Sequence, residues 1–347
     1  MRRYTPLLLT AFLLFLIVVG GSAYMANQGD DASHRPLREI LVYTTLPAEH
    51  AAVLATAYEK EHDVRINFIP LASSEILSRL ADTVSSSDSN SAAMLLADKN
   101  TLKQAAAKGY LQPYISENGD QVAQEFRQQD GYWVGVWYDP IVFCLNRDYL
   151  NTLSSIPDTW TELAGMPKVR IGVTDFLAAD ASSNLLFNMV AQFGDVQTYT
   201  IWRQIHPKVV QYARYLSNPV RQAGMGEVDA AIAVESEAIR YLQEGYPLKI
   251  VYPADGTAAM VTGTALLKNS KEADLALAKE FADWLLEDEA QQLQQENGFY
   301  FVPTNPGTLA YKMFAGKNMI LFNQEADFTL QQKHNFLDRW VKEVRFD

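Results

Sequence analysis

Ile40-Leu41-Val42-Tyr43-Thr44-Thr45-Leu46-Pro47 is the stretch whose reading decides the fold. Ile40 to Tyr43 is a short apolar run of the kind that fills a strand buried on both faces, and Pro47 stands where a helix can begin without losing a needed amide donor. The helix that follows places Ala51, Leu54, Ala55 and Tyr58 on one face, with Glu49 in its first turn at the positive end of the dipole. Val64, Ile66 and Phe68 then alternate with Arg65 and Asn67, and Pro70 closes a second strand. Strand, polar loop, amphipathic helix and strand make a right-handed crossover unit, and small ligands meet such sheets at the carboxyl edge.

Working outward, Ser73 and Ser74 precede a helix with Ile76, Leu77 and Leu80, and Ser85 to Ser91 reads as a solvated loop. Ala92 to Ala97 is a third apolar run, and Asp98-Lys99-Asn100 opens a helix that stops at Gly109. Tyr132 to Tyr138 and Ile141 to Leu145 are two strand-like runs parted by Asp139-Pro140, so the chain crosses a boundary in extended form. The pattern then restarts. Thr159 and Glu162 form a capping box, Arg170 to Val173 is a strand, and Ser182-Ser183-Asn184 opens a helix ending at Gly194. Val209 to Tyr212, Ala230 to Val234 and Lys249 to Tyr252 are strands, with helices over Pro219 to Gly226 and from Glu235 to Gly245. Ala259 to Leu267 is a second extended crossing, followed by one long helix over Asp274 to Asn297, a short strand at Phe299 to Val302 and a final helix carrying Phe336, Leu337, Trp340 and Val344. Two crossings around a complete α/β unit imply two hinged lobes with a cleft between them.

At 347 residues and 48% hydrophobic the chain can hold two such cores. Its net charge of −12 argues against nucleic acid or an anionic membrane surface as a partner over a broad face. Arg2 and Arg3 precede the apolar run Leu7 to Val19, and Gly21-Ser22-Ala23 supplies the small residues a signal peptidase reads. Residues 1–26 are therefore expected to be an export signal, with an uncleaved inner-membrane anchor as the competing reading, and Asn27 to Arg35 a tether. No cysteine follows for lipid attachment; the single Cys144 lies in an apolar run and reads as core.

Enzyme motifs are missing: there is no Gly-x-Ser-x-Gly, P-loop or His-Glu-x-x-His. His34, His50, His62, His206 and His334 show no ligand spacing, so no metal site and no cofactor is expected, and each reads as a surface or packing residue. What recurs is small polar residues at strand ends that begin helices. Helix starts offer unpaired amide donors and positive potential, so several facing one cleft make an anion site. The candidate ligand-binding residues are Thr44, Thr45, Ser73, Ser74 and Asp98 in the first half, and Ser182, Ser183, Ser217, Glu235 and Ser236 in the second. Arg214, beside Ser217, could add a charge-assisted bond, and Trp137 with Tyr138 could line the pocket near the crossing.

Leu41 to Pro47, Ala105 to Tyr114 with Gly109-Tyr110-Leu111-Gln112-Pro113, and Pro157-Asp158-Thr159-Trp160 with Leu163 resemble the extracellular solute-binding proteins of ABC importers. Within them the chain is similar to the branch of ferric-iron, thiamine, phosphonate and sugar-phosphate binders. Gln211-Tyr212, Ser217-Asn218-Pro219 and Gly226-Glu227 leading into Ala230 to Val234 look like that family's second lobe, and the likeness covers about residues 40 to 305. It implies a periplasmic-binding-protein-like type II α/β fold, two lobes joined by a two-strand hinge. The expected division is 38–140 plus 260–347 for the first lobe with the C-terminal helices, and 141–259 for the second. It also implies a non-catalytic, periplasmic monomer that hands a small-molecule ligand to an inner-membrane ABC permease. The iron binders carry adjacent tyrosines where this chain reads Glu235-Ser236-Glu237, so an anionic organic solute such as a phosphonate or sugar phosphate is expected. Ferric iron remains the rival ligand, and a membrane-anchored ligand sensor the rival role.

Overall fold

Alternate residues of the first strand enter two different cores, which is why its apolar run is continuous. A computed structural model describes residues 38–85, 92–268, 270–314, 317–323 and 326–346. The expected export segment and tether, and most of the serine-rich loop, lie outside the described residues. The strands are β1 (Arg38–Thr44), β2 (Val64–Pro70), β3 (Met94–Asp98), β4 (Leu111–Gln112), β5 (Val134–Asn146), β6 (Ile171–Thr174), β7 (Val209–Ala213), β8 (Ala230–Val234), β9 (Leu248–Val251), β10 (Ala259–Leu267) and β11 (Val302–Pro303). Ile40 and Val42 of β1, with Met94 and Leu96 of β3, face a core that holds Leu54, Tyr58 and Phe281; Tyr43, Leu95 and Ala97 face a second one with Ile76 and Leu102. A sheet buried on both faces demands this unbroken apolar pattern.

Neighbouring strands run in the order β2-β1-β3-β10-β5-β8-β6-β7. β2, β1 and β3 are parallel, as are β8, β6 and β7, and β10 and β5 are antiparallel to their neighbours. Each parallel set is one α/β lobe, and β5 and β10 pass between them. Residues Val134 to Pro140 of β5 pair with β10, whereas Ile141 to Leu145 pair with β8. The second lobe is also double-faced: Ile141, Phe143 and Leu145 join Trp160, Ile171 and Trp202 in one core, while Val142 and Cys144 join Val220 and Tyr241 in another. Burial pushes the Cys144 thiol up to about 12, as expected of a packing residue.

The extended crossing expected at Asp139-Pro140 is present, and the two runs flanking it form one strand: among the described residues Pro140 pairs only with Ala259, at a point where no partner on the other side needs its amide. Three expectations are corrected. The long helix after β10 is two helices, Glu272–Trp284 and Asp288–Glu296. At the break, the side-chain amides of Gln291 and Asn305 donate to the carbonyl oxygens of Leu285 (2.5 Å) and Leu286 (2.9 Å), which lets both leucines stay buried. The strand expected at Phe299 to Val302 is confined to β11, and Phe299 and Phe301 instead stack on His50. Finally, the C-terminal helix Leu330–Trp340 does not join the first lobe. Trp340 and Val344 enter the second lobe's core against Phe176 and Tyr212.

The chain thus crosses between the lobes a third time. Phe314, Met319 and Leu321 pack on the first lobe's core, and Phe322, Phe328 and Phe336 on the second's. Between them a strap lies against Thr257, whose amide donates to the Ile320 carbonyl (3.0 Å) and whose carbonyl accepts from the Phe322 amide (2.9 Å).

Candidate functional site

Strand direction brings the carboxyl ends of both parallel sets to the crossing. Asp98 at the end of β3 stands opposite Thr262, and Val234 at the end of β8 stands opposite Ile141. Between these edges is a cleft of about 680 Å³, large enough for a small organic solute. Asp98, Lys99, Asn100, Gln124 and Tyr138 line it from the first lobe, Asn184 and Asn188 from the second, and Tyr311, Met319 and Asn323 from the C-terminal part of the chain.

On the first lobe Thr45, Ser73 and Asp98 come together. The Asp98 amide donates to Thr45 Oγ1 (3.2 Å), and Asp98 Oδ2 accepts from Ser73 Oγ (3.0 Å) and Thr101 Oγ1 (2.6 Å). Asp98 Oδ1 accepts from the Thr101 amide (3.0 Å), so this carboxylate caps the helix Lys99–Ala107 itself and fills the anion position there. Thr44 is fully buried, bridging the Leu96 carbonyl and the Leu46 amide, and Ser74 is exposed. Two lysines reach the same wall: Lys99 Nζ donates to the Glu125 carbonyl (3.0 Å), and Lys103 pairs with Asp327 (3.5 Å).

On the second lobe the helix Asp180–Phe193 begins with no side-chain cap. Ser182 is buried in its first turn and Ser183 Oγ donates to the Asp180 carbonyl (3.1 Å); one turn further, Asn184 and Asn188 reach the cleft. Asn184 Nδ2 donates to the Ala259 carbonyl (3.2 Å) and Asn188 Nδ2 to Asn184 Oδ1 (3.0 Å), forming an amide ladder tied to β10. Ser217 opens the helix Ser217–Gly224 and Arg214 is exposed; neither lines the cleft.

At the crossing, Trp137 packs in the core against His50 and Phe301, whereas Tyr138 lines the cleft. Asp139 is buried and accepts from the Ser236 amide (2.9 Å) and Ser236 Oγ (2.5 Å), so a hinge carboxylate caps the helix Glu235–Gln243. Burial raises its pKa to about 7 against the opposing pull of those two bonds. Glu235 has no exposed surface. Its Oε1 accepts from the Tyr252 hydroxyl and from Lys317 Nζ of the strap (3.2 Å), while its buried Oε2 has no hydrogen-bond partner among the described residues. Burial raises the Glu235 pKa, and the Lys317 charge counters it.

Of the sequence candidates, Asp98 and Tyr138 face the cleft, Thr45 and Ser73 hold Asp98, and Glu235 and Ser236 lie at the crossing. Asn188, Gln124, Tyr311 and Asn323 were not singled out from sequence. The i, i+4 pair Asn184 and Asn188, set among Leu185, Leu186, Phe187, Met189 and Val190, was the available signal. Away from the cleft, Glu61, His62 and Glu289 bring possible metal-ligating atoms within 4.8 Å of one another on exposed surface.

Two α/β lobes with a polar cleft at the carboxyl edges of their sheets make the type II periplasmic-binding-protein fold. Residues 53–318 match the bacterial extracellular solute-binding protein family, and the chain belongs to it. An uncharacterized protein of Haemophilus influenzae is 26% identical over 254 residues, 70% of this chain and 72% of that protein. Among solved structures, the periplasmic binding protein AfuA of Actinobacillus pleuropneumoniae, with exogenous fructose-6-phosphate bound, has a TM-score of 0.69 at 21% identity, covering 89% of this chain and 99% of AfuA. Iron-bound HitA of Pseudomonas aeruginosa has a TM-score of 0.70 at 17% identity, covering 87% of this chain and 98% of HitA.

Proposed function

We propose that the protein is the non-catalytic, exported capture subunit of an ABC importer, taking a small anionic organic solute of the phosphonate or sugar-phosphate kind between its lobes. The observation that carries this reading is the makeup of the cleft wall. Neutral amide and hydroxyl groups (Asn100, Gln124, Asn184, Asn188, Tyr138, Tyr311) surround it, with Lys99 and Lys103 beside Asp98 and Glu125 on one side. Amides and hydroxyls both donate and accept, which suits a solute with a charged end and several hydroxyls. Lobe closure would desolvate that solute, and the closed state would present both lobes to an inner-membrane permease. AfuA, of the same fold, was solved with a sugar phosphate in place. HitA was solved with iron, but here the positions after β8 are Glu235 and Ser236, engaged with Tyr252, Lys317 and Asp139. The ligand-binding roles of Asp98, Tyr138 and the Asn184–Asn188 ladder, and a monomeric state, belong to the same proposal.

A thermal-shift screen against phosphonates, sugar phosphates, thiamine, polyamines and ferric salts tests it. A ligand at about a hundredfold excess over its Kd stabilises the folded state by about 2.7 kcal/mol, a readily measured rise in melting temperature. A rise with ferric salts alone would sink the organic-anion reading.

A further inference from the structure

The two walls of the cleft differ in the hydrogen-bonding groups they leave uncommitted. Charge does not separate them, because Lys99 and Lys103 share the first-lobe wall with Asp98 and Glu125. On that wall Tyr138 stands opposite Val302 of β11, its ring stacked on Phe126 at a centroid distance of 4.6 Å and only 8% of the residue exposed. Tyr311 lines the same cleft from the helix Leu309–Phe314. The chain leading to it is tied to β5 by Thr304, whose Oγ1 donates to the Gly135 carbonyl (2.7 Å), and the Tyr311 amide donates to Thr308 Oγ1 (3.1 Å). Neither phenol hydroxyl has a hydrogen-bond partner among the described residues. Burial, and after it the nearby Tyr311, raise the Tyr138 pKa, so this group stays a donor and does not become a phenolate.

The second-lobe wall offers the opposite. Asn188 spends both of its N–H bonds, on the Asn184 main-chain carbonyl (2.8 Å) and on Asn184 Oδ1 (3.0 Å), and Asn184 Nδ2 is held by the Ala259 carbonyl (3.2 Å). A main-chain carbonyl only accepts, so the orientation of each side-chain amide is fixed. Asn188 Oδ1 is then the group left over, an acceptor with no partner among the described residues.

We infer, building on the organic-anion reading above, that the cleft holds its solute in one direction: the Tyr138 and Tyr311 hydroxyls clamp the oxyanion on the first lobe, and Asn188 Oδ1 accepts from a hydroxyl at the other end on the second. Two donors on one wall suit a phosphonate or phosphate group, whose oxygens each accept several bonds, and bonds to a charged acceptor are the stronger kind. A bare amide oxygen disfavours an oxyanion and favours a hydroxyl. A solute with both ends spans the walls, whereas an oxyanion without the hydroxyl engages the first lobe alone.

The test uses two matched pairs that share the anionic end: 2-hydroxyethylphosphonate against ethylphosphonate, and glycerol 3-phosphate against propyl phosphate. Titration calorimetry is done on the full chain, purified as the cell processes it. The wild type is expected to bind the hydroxyl member of a pair about tenfold more tightly. Tyr138→Phe and Tyr311→Phe are expected to weaken both members alike, by about tenfold each, and to melt with the wild type because neither hydroxyl is bonded within the protein. Asn188→Leu is expected to weaken the hydroxyl member alone and erase the preference. Equal wild-type affinity within the pairs, affinities unchanged in the variants, or the reverse pattern, with the phenols setting the preference and Asn188→Leu weakening both members, overturns the inference and leaves the organic-anion reading standing. No binding of either pair overturns both.

Discussion

Replacing His50 with Phe isolates one protonation equilibrium in the core. His50 is 1% exposed, stacks on Phe299 at a centroid distance of 4.1 Å and shares a 2.9 Å hydrogen bond with Gln294. Burial lowers its pKa from 6.5 to about 4, the Gln294 bond opposing only in part. The folded state therefore holds the ring neutral, while the unfolded chain protonates it as the pH falls below 6.5. Between those values the unfolded state binds more protons, so the His50 contribution to stability falls as the pH falls and levels off near pH 4. A difference of roughly 2.5 units is about 3 kcal/mol in all. Asp139 works in the opposite sense. Its pKa is raised to about 7, so its contribution is present below the unfolded value near 4 and is lost as the pH rises to 7. The two slopes overlap and partly cancel in the wild type. Urea denaturation of wild type and His50→Phe at pH 7.5, 6, 5 and 4 removes the Asp139 part by subtraction. Loss of the Gln294 bond adds a pH-independent offset of about 1–3 kcal/mol. The stability of His50→Phe relative to wild type should then rise by about 3 kcal/mol between pH 7 and pH 4. A difference that stays constant with pH refutes the reasoning.

Two further perturbations probe the frame that holds the cleft. A Cβ on Gly263 would lie 2.5 Å from the Val134 carbonyl oxygen and 3.1 Å from Gly135 Cα, backbone against backbone where β10 crosses β5, so Gly263→Ala should cost about 1–3 kcal/mol; an unchanged melting temperature would show that the strands can part freely. Trp340→Ala should cost about 3–5 kcal/mol by emptying the space against Phe176 and Tyr212, read by chemical denaturation, and a loss under 1 kcal/mol would mean that the C-terminal helix is not part of the second lobe's core.

Much of the fold was legible because burial on both sheet faces writes itself as unbroken apolar runs, and β10 spans the very residues Ala259 to Leu267 that the pattern marks. Gly194 ends its helix at a φ of 77°, where a residue with a Cβ would be strained. The features that stayed hidden depend on distant partners. No local signal distinguishes Asp139-Pro140 as a gap from Asp139-Pro140 as mid-strand; that was decided by where β10 and β8 exchange places beside it. The break after Trp284 depends on Gln291 and on Asn305, the latter 19 residues from the carbonyl it satisfies. The site was legible as a class of residue more than as a set. Hydroxyls and carboxylates at strand ends do gather near the crossing, but Asp98 and Asp139 spend their charge on helix starts, and a lysine from the far end of the sequence meets Glu235.

Because the last helix rides on the second lobe while β1 begins the first, the two ends of the described chain belong to opposite jaws. Glu39 and Phe346 are both exposed. Fluorophores attached at those two positions would report every change in the angle between the jaws, turning the protein into a reagentless optical sensor for its own solute with neither core disturbed.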